Sequence, residues 1–210
     1  MVNPGPAGPL VPEGPAAREG YEVVAIASSA GGVTALSAVL GALSPDLPAP
    51  VLVVQHLDPR HETVIAEVLS RRTPLKVKLA NHEEVAQAGF VYIAPPNRHL
   101  LVSKSGVLTL AETELVHFVR PSADLLFESV AATYGDGALA VVLTGTGADG
   151  SMGIRAVKAR GGTVIVEDPA TAEFSGMPRA AVETGAADFV LTIDEIGPVL
   201  SHLIESGRHR

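Results

Sequence analysis

Short apolar runs rich in β-branched residues recur along the chain, most of them alternating with stretches of helical spacing. Glu22–Ala27 (EVVAIA) is the first and predicts a central strand. Gly31-Gly32 breaks it, and Val33–Leu43 has the spacing of a helix. Pro50–Gln55 (PVLVVQ) is the next strand. Asp58-Pro59 then reads as a helix start, with Asp as N-cap and Pro in the first turn, running to about Ser70. Leu75–Leu79 alternates apolar residues with lysine, as a half-exposed strand does, and Phe90–Ala94 (FVYIA) is closed by Pro95-Pro96. Leu100–Val102 and Val107–Leu110 flank Ser-Lys-Ser-Gly and predict a hairpin. Pro121-Ser122 opens a helix to about Thr133, and Leu139–Leu143 (LAVVL) is a buried strand. Ser151–Arg160 is a helix stopped by Gly161-Gly162, and Thr163–Val166 a strand. Pro178–Thr184 is a short helix closed by Gly185, and Asp188–Leu191 the last strand, after which Asp194 is expected to cap a terminal helix. Strands that are apolar throughout, alternating with helices, predict a three-layer α/β/α, doubly wound, mostly parallel sheet with an antiparallel hairpin at its edge.

Residues 1–20 break this rhythm with five prolines and four glycines, and read as a flexible tail ahead of one domain over 21–210. The N-terminus lacks the cationic start and apolar run of a signal peptide, and no apolar stretch is long enough to enter a bilayer. A net charge of -8 offers no basic face for nucleic acid. The chain has no cysteine, which excludes disulfides, a thiol nucleophile and thiolate metal sites, and fits a cytoplasmic protein.

Sites in open parallel sheets form where strands end. The first predicted strand ends in Ser28-Ser29, the second in Gln55-His56, and LAVVL runs into the loop Thr144–Gly150 with Asp149. Parallel strands bring these ends to one edge, so a serine, a histidine and an aspartate converge. Acyl transfer uses that trio: imidazole takes the hydroxyl proton, and a carboxylate orients the imidazole. The Ser29-Ala30-Gly31-Gly32 turn also precedes a helix, whose unpaired N–H groups can hold an oxyanion. The same turn can equally cradle a phosphate. Gly145–Gly150 matches G-x-G-x-x-G, with Glu167 and Asp168 about 20 residues on, as in a dinucleotide site. Asp149 beside a pyrophosphate and the short remaining chain weigh against that reading. Ser28 reads as a packing residue, and His61 and His82 as solvated. His99 and Met177 are candidate cleft residues, with Phe174 a wall of the same loop. Arg120 either fixes a helix start or meets an acidic substrate face.

Ile26–Gly32 (IASSAGG), Val53–Pro59 (VVQHLDP), Val91–His99 (VYIAPPNRH), Arg120–Ala131 (RPSADLLFESVA), Val141–Gly150 (VVLTGTGADG) and Phe174–Ala181 (FSGMPRAA) follow in order. Through them residues 22–204 resemble the catalytic domain of the chemotaxis protein-glutamate methylesterases, the CheB family. The resemblance implies a hydrolase that removes methyl esters from glutamate side chains of receptor helices, and in related enzymes deamidates glutamine. It implies Ser29 as nucleophile, His56 as base and Asp149 as acid, with no cofactor and no metal. Ala30 and Thr146 stand where the family usually has threonine and methionine. With Gly31 they neighbour the expected oxyanion site. Members typically carry an N-terminal receiver domain. The resemblance here takes in the catalytic domain alone, so a separate regulatory protein is expected. An inactive adaptor of the same fold is the further alternative.

Overall fold

The computed structural model describes residues 20–57, 63–116 and 118–206. The Pro/Gly-rich segment, apart from Gly20, lies outside the described residues. Strand β1 (Val23–Ser28) is followed by helix α1 (Gly32–Gly41), and β2 (Val51–Gln55) by α2 (Ile65–Ser70). Thr63 and Val64 are not helical, so α2 is shorter than expected at its described end. The Asp58-Pro59 start lies outside the described residues. β3 (Lys76–Leu79), β4 (Phe90–Ile93), β5 (His99–Val102) and β6 (Leu108–Ala111) come next, then α3 (Ala123–Tyr134), β7 (Ala138–Val142), α4 (Ser151–Ala159) and β8 (Thr163–Glu167). The chain ends with α5 (Gly176–Glu183), β9 (Phe189–Leu191) and α6 (Ile193–Ser206).

Seven strands form one sheet in the order β3-β4-β2-β1-β7-β8-β9. Every pairing in it is parallel. Period-two alternation splits β1 between two cores. Val24 and Ile26 face α1, α2 and α6, while Val23, Ala25 and Ala27 face α3, α4 and α5. Both faces of the central strands are covered, which is why these carry no polar alternation, while the edge strand β3 alternates Lys76 and Lys78 with Val77 and Leu79. Burying each large aliphatic or aromatic side chain contributes about 1.5–3 kcal/mol.

The β5–β6 hairpin forms as expected, but as its own two-stranded sheet. It packs on α3 through side-chain hydrogen bonds. Ser129 Oγ accepts from the Val102 amide at 3.1 Å, and Thr133 Oγ1 donates to Val102 O at 3.2 Å. The cap of α6 also differs from expectation. Asp194 lies in the first turn, while the Thr192 amide and hydroxyl both donate to Glu195 Oε2, at 2.9 and 2.8 Å. This is the reach-back half of a capping box. No described helix is long and apolar enough to cross a membrane.

One feature of this order positions the site. The chain leaves β1 toward α1 on one face and leaves β7 toward α4 on the other. Neighbouring strands whose connections part in this way open a crevice at their carboxyl ends.

Candidate active site

Ser28 ends β1 opposite Gln55, and its Oγ donates to Gln55 Oε1 at 2.6 Å. Gln55 Nε2 donates in turn to Ser29 O at 2.8 Å and His56 O at 3.0 Å, so one amide ties both strand ends together. Across the crevice the Ser29 amide donates to Thr144 O at 3.0 Å. The chain then turns sharply at Gly31, whose φ of 74° favours glycine. At Gly32 a Cβ would lie 2.0 Å from Gln55 Oε1, so only glycine lets α1 start this close to β2. The Gly32 amide closes the turn on Ser29 O, whereas those of Ala30 and Gly31 find no acceptor among the described residues. Ser29 is therefore half-buried at a helix N-terminus with free donors beside it.

His56 follows β2, and its side chain is 16% exposed. Its Nε2 lies 2.8 Å from Asp149 Oδ2. Asp149 is buried against the start of α3, where its carboxylate accepts from Ser122 Oγ at 2.9 Å and from the amides of Ala123 at 2.6 Å and Asp124 at 3.2 Å. Burial on its own pushes this carboxyl's pKa up. The bonds from His56 and from the Ala123 and Asp124 amides outweigh burial, and the net pKa is lowered. The carboxylate stays ionised and holds the proton of the neutral ring on Nε2. Nδ1 is left as the basic nitrogen.

His99 does not line the cleft. It is fully buried, accepts from the Ser122 amide at Nδ1 (3.1 Å) and pairs at Nε2 with Glu114 O (3.0 Å). It fixes the N-terminus of α3 from behind, one step removed from Asp149.

The Thr144–Gly150 loop is closed from below. A Cβ on Gly145 would meet Met177 Sδ at 2.3 Å and Ser29 Cβ at 2.8 Å. Met177 is 1% exposed and donates its amide to Gly145 O. It is thus packing beneath the turn, beside Ser29. Thr146 is exposed at the loop's rim. Thr144 joins three segments: its amide donates to Glu167 Oε2 (2.7 Å), its hydroxyl to Ala30 O (3.1 Å), and the Phe174 amide to that hydroxyl (2.8 Å). These contacts remove the dinucleotide reading. The first glycine packs on Ser29 and Met177, and Glu167 is buried and committed to Thr144, so neither faces a ligand. The sequence does not single out Gln55, Ser122 or Thr144 as site residues, and it offers Glu167 only as a ribose-binding acid. Only the adjacency of Gln55 to His56, and of Ser122 to a helix start, hinted at them.

A family model described as CheB methylesterase matches residues 24–200. The chain belongs to the CheB methylesterase family. It is thereby placed among the methylesterases as an enzyme. A putative protein-glutamate methylesterase/protein-glutamine glutaminase of Leptospira interrogans is 38% identical over 183 residues, which cover 87% of this chain and 95% of that protein. A protein-glutamate methylesterase/protein-glutamine glutaminase of Burkholderia orbicola is 44% identical over 192 residues, 91% of this chain but 57% of the relative. The chain therefore spans nearly all of one relative and little more than half of the other. The crystal structure of the Thermotoga maritima CheB methylesterase catalytic domain superimposes with a TM-score of 0.84 at 38% identity, covering 88% of this chain and 99% of that one. The doubly wound sheet and the separate hairpin are the family's catalytic fold.

Proposed function

We propose that the chain hydrolyses γ-glutamyl methyl esters on receptor-type cytoplasmic proteins through Ser29, His56 and Asp149. The observation that carries this reading is the His56–Asp149 bond, clamped by the start of α3 one strand end from Ser29. Nδ1 of His56 takes the Ser29 proton as Oγ bonds to the ester carbonyl carbon. The amides of Ala30 and Gly31 receive the developing oxyanion. Thr146, on the facing loop, lines the same space. His56 then gives the proton to the departing methoxide, and methanol leaves an acyl-serine. Water attacks that ester with His56 again as base. Ser29 recovers its proton and a glutamate carboxylate is released. One water is consumed per methanol formed, and no metal or cofactor enters any step. A glutamine amide follows the same path and loses ammonia.

Asp149 remains ionised throughout and stabilises the imidazolium. With the carboxylate on Nε2, the ring works through Nδ1. Methanol release from a methyl-labelled chemoreceptor cytoplasmic fragment tests the reading. Ser29→Ala is expected to lower kcat by about 10⁴-fold with the melting temperature kept. A fluorophosphonate is expected to label Ser29. Absence of both labelling and methanol release would make the chain a non-catalytic adaptor.

A further inference from the structure

Among the described residues, most exposed large apolar side chains gather around one edge of the sheet, Val85 and Val190 apart. Val33 follows β1, Val64 follows β2, Met152 follows β7 and Phe174 follows β8. All four lie on connections at the carboxyl edge that holds Ser29. Leu115 and Phe118 lie on the segment leading into α3, whose first turn grips Asp149. Apolar residues gathered around a site, rather than singly dispersed, mark an interaction surface.

The segment before α3 is the informative part. Val116 and Val119 bridge to each other and turn Phe118 outward, at φ 65° and 94% exposed. A bulky aromatic in the left-handed region and in water bears two local costs. Beside it lies a groove of about 420 Å³ that runs to His56, with Leu57, Leu115 and Val119 as apolar walls and Asn97 and Arg120 as its polar part. Arg120 is held rigidly: Nε and Nη2 donate to Asn97 Oδ1, and Nη1 donates to the carbonyls of Glu112 and Thr113. All these acceptors are neutral, and among the described residues no carboxylate pairs with it. Among the described residues, then, no carboxylate compensates this fixed guanidinium, which stands beside apolar walls in a chain whose net charge is -8.

We propose that this groove receives an acidic segment of the protein substrate next to the esterified glutamate. An apolar side chain of that segment seats on Phe118 and Leu115, and a carboxylate meets Arg120. The claim rests on the methylesterase reading and adds what selects the substrate. Aromatic and arginine anchors of this kind dominate interface energetics, and a charge placed this way sets register and partner choice.

The test compares two substrates on the full chain: the methyl-labelled receptor fragment and p-nitrophenyl acetate. Phe118→Ser is expected to lower kcat/KM on the receptor fragment at least ten-fold more than on the small ester, mainly through KM, with Phe118→Leu recovering most of the loss. Arg120→Gln is expected to flatten the rise of KM with sodium chloride on the receptor fragment. Arg120→Glu is expected to favour a fragment whose acidic residues flanking the ester are changed to lysine. Equal losses on both substrates, or an unchanged salt slope in Arg120→Gln, would overturn the docking claim and leave the esterase reading standing. A wild-type chain that cleaves p-nitrophenyl acetate but no receptor ester removes the protein substrate itself, and the groove's role with it.

Discussion

Asp149 and Glu167 are buried carboxylates at the same sheet edge, and their surroundings drive their pKa values apart. Asp149 is held below the ordinary carboxylate range because the bonds from His56 and the α3 amides outweigh burial. Its contribution to stability is present above that range and is lost as pH falls through it toward the lowered folded value. Asp149→Asn is expected to cost about 1–3 kcal/mol at neutral pH and much less in acid, read by urea melts across pH. It is also expected to lower kcat about 10³–10⁴-fold. Glu167 is pushed up, chiefly by burial, against the bond from Thr144, with Glu173 adding to the rise. The native state then holds this proton more tightly than the unfolded chain, so its contribution is complete at low pH and declines as pH climbs through the raised folded value. Glu167→Gln is expected to remove that decline. A pH–stability curve for the variant that keeps the wild-type slope above the carboxylate range would contradict the assignment. That Ser29, His56 and Asp149 lie at one sheet edge was legible in the sequence because each sits immediately past an apolar run or in the loop it feeds. Their partners were not. Whether Gln55 Nε2 reaches Ser29 O, or Thr144 reaches Glu167, depends on strand register, which periodicity leaves open. His99 was misread for the same reason, since its burial follows from the hairpin's docking on α3.

At the scale of elements, the start of α3 does two jobs at once. Ser122 occupies its N-cap, where its side chain accepts from the Leu125 amide, and its hydroxyl donates to Asp149. Ser122→Ala is expected to destabilise the fold by about 1–2 kcal/mol. Because Asp149 loses a donor as well, kcat is expected to fall while KM changes little. Equal kcat in variant and wild type would show the cap to be purely structural. The apolar strands were plain in the sequence because strands buried on both faces need β-branched residues throughout. Helix ends were harder to place. Asp194 was expected to cap α6, yet the pair Thr192 and Glu195, spaced as T-x-x-E, caps it. That spacing is readable, and acidic residues one position apart competed for the same role. At α5, Gly176 and Met177 already lie in the helix, and Pro178 sits inside the first turn, where no N–H is needed.

Across the whole molecule, α3 and α4 pack together in one layer under the Asp149 loop. A Cβ on Gly153 would lie 2.7 Å from Phe127 Cβ and 2.8 Å from Asp124 O, so the helices touch at glycine distance. Phe127 is fully buried between them. Phe127→Ala is expected to cost about 3–5 kcal/mol in urea unfolding. Its activity is expected to fall before the protein melts, since the cavity lies under the Asp149 loop. The staple between Thr144 and Ala30 has a consequence for timing. It joins positions 114 apart in sequence, and the His56–Asp149 bond joins positions 93 apart. Contacts so distant along the chain close only after the strands between them have assembled. Hydrolytic competence should therefore be the last property to return on refolding, trailing the recovery of backbone circular dichroism. A partly folded chain, newly made or recovering from heat, would then cleave nothing until its sheet is whole.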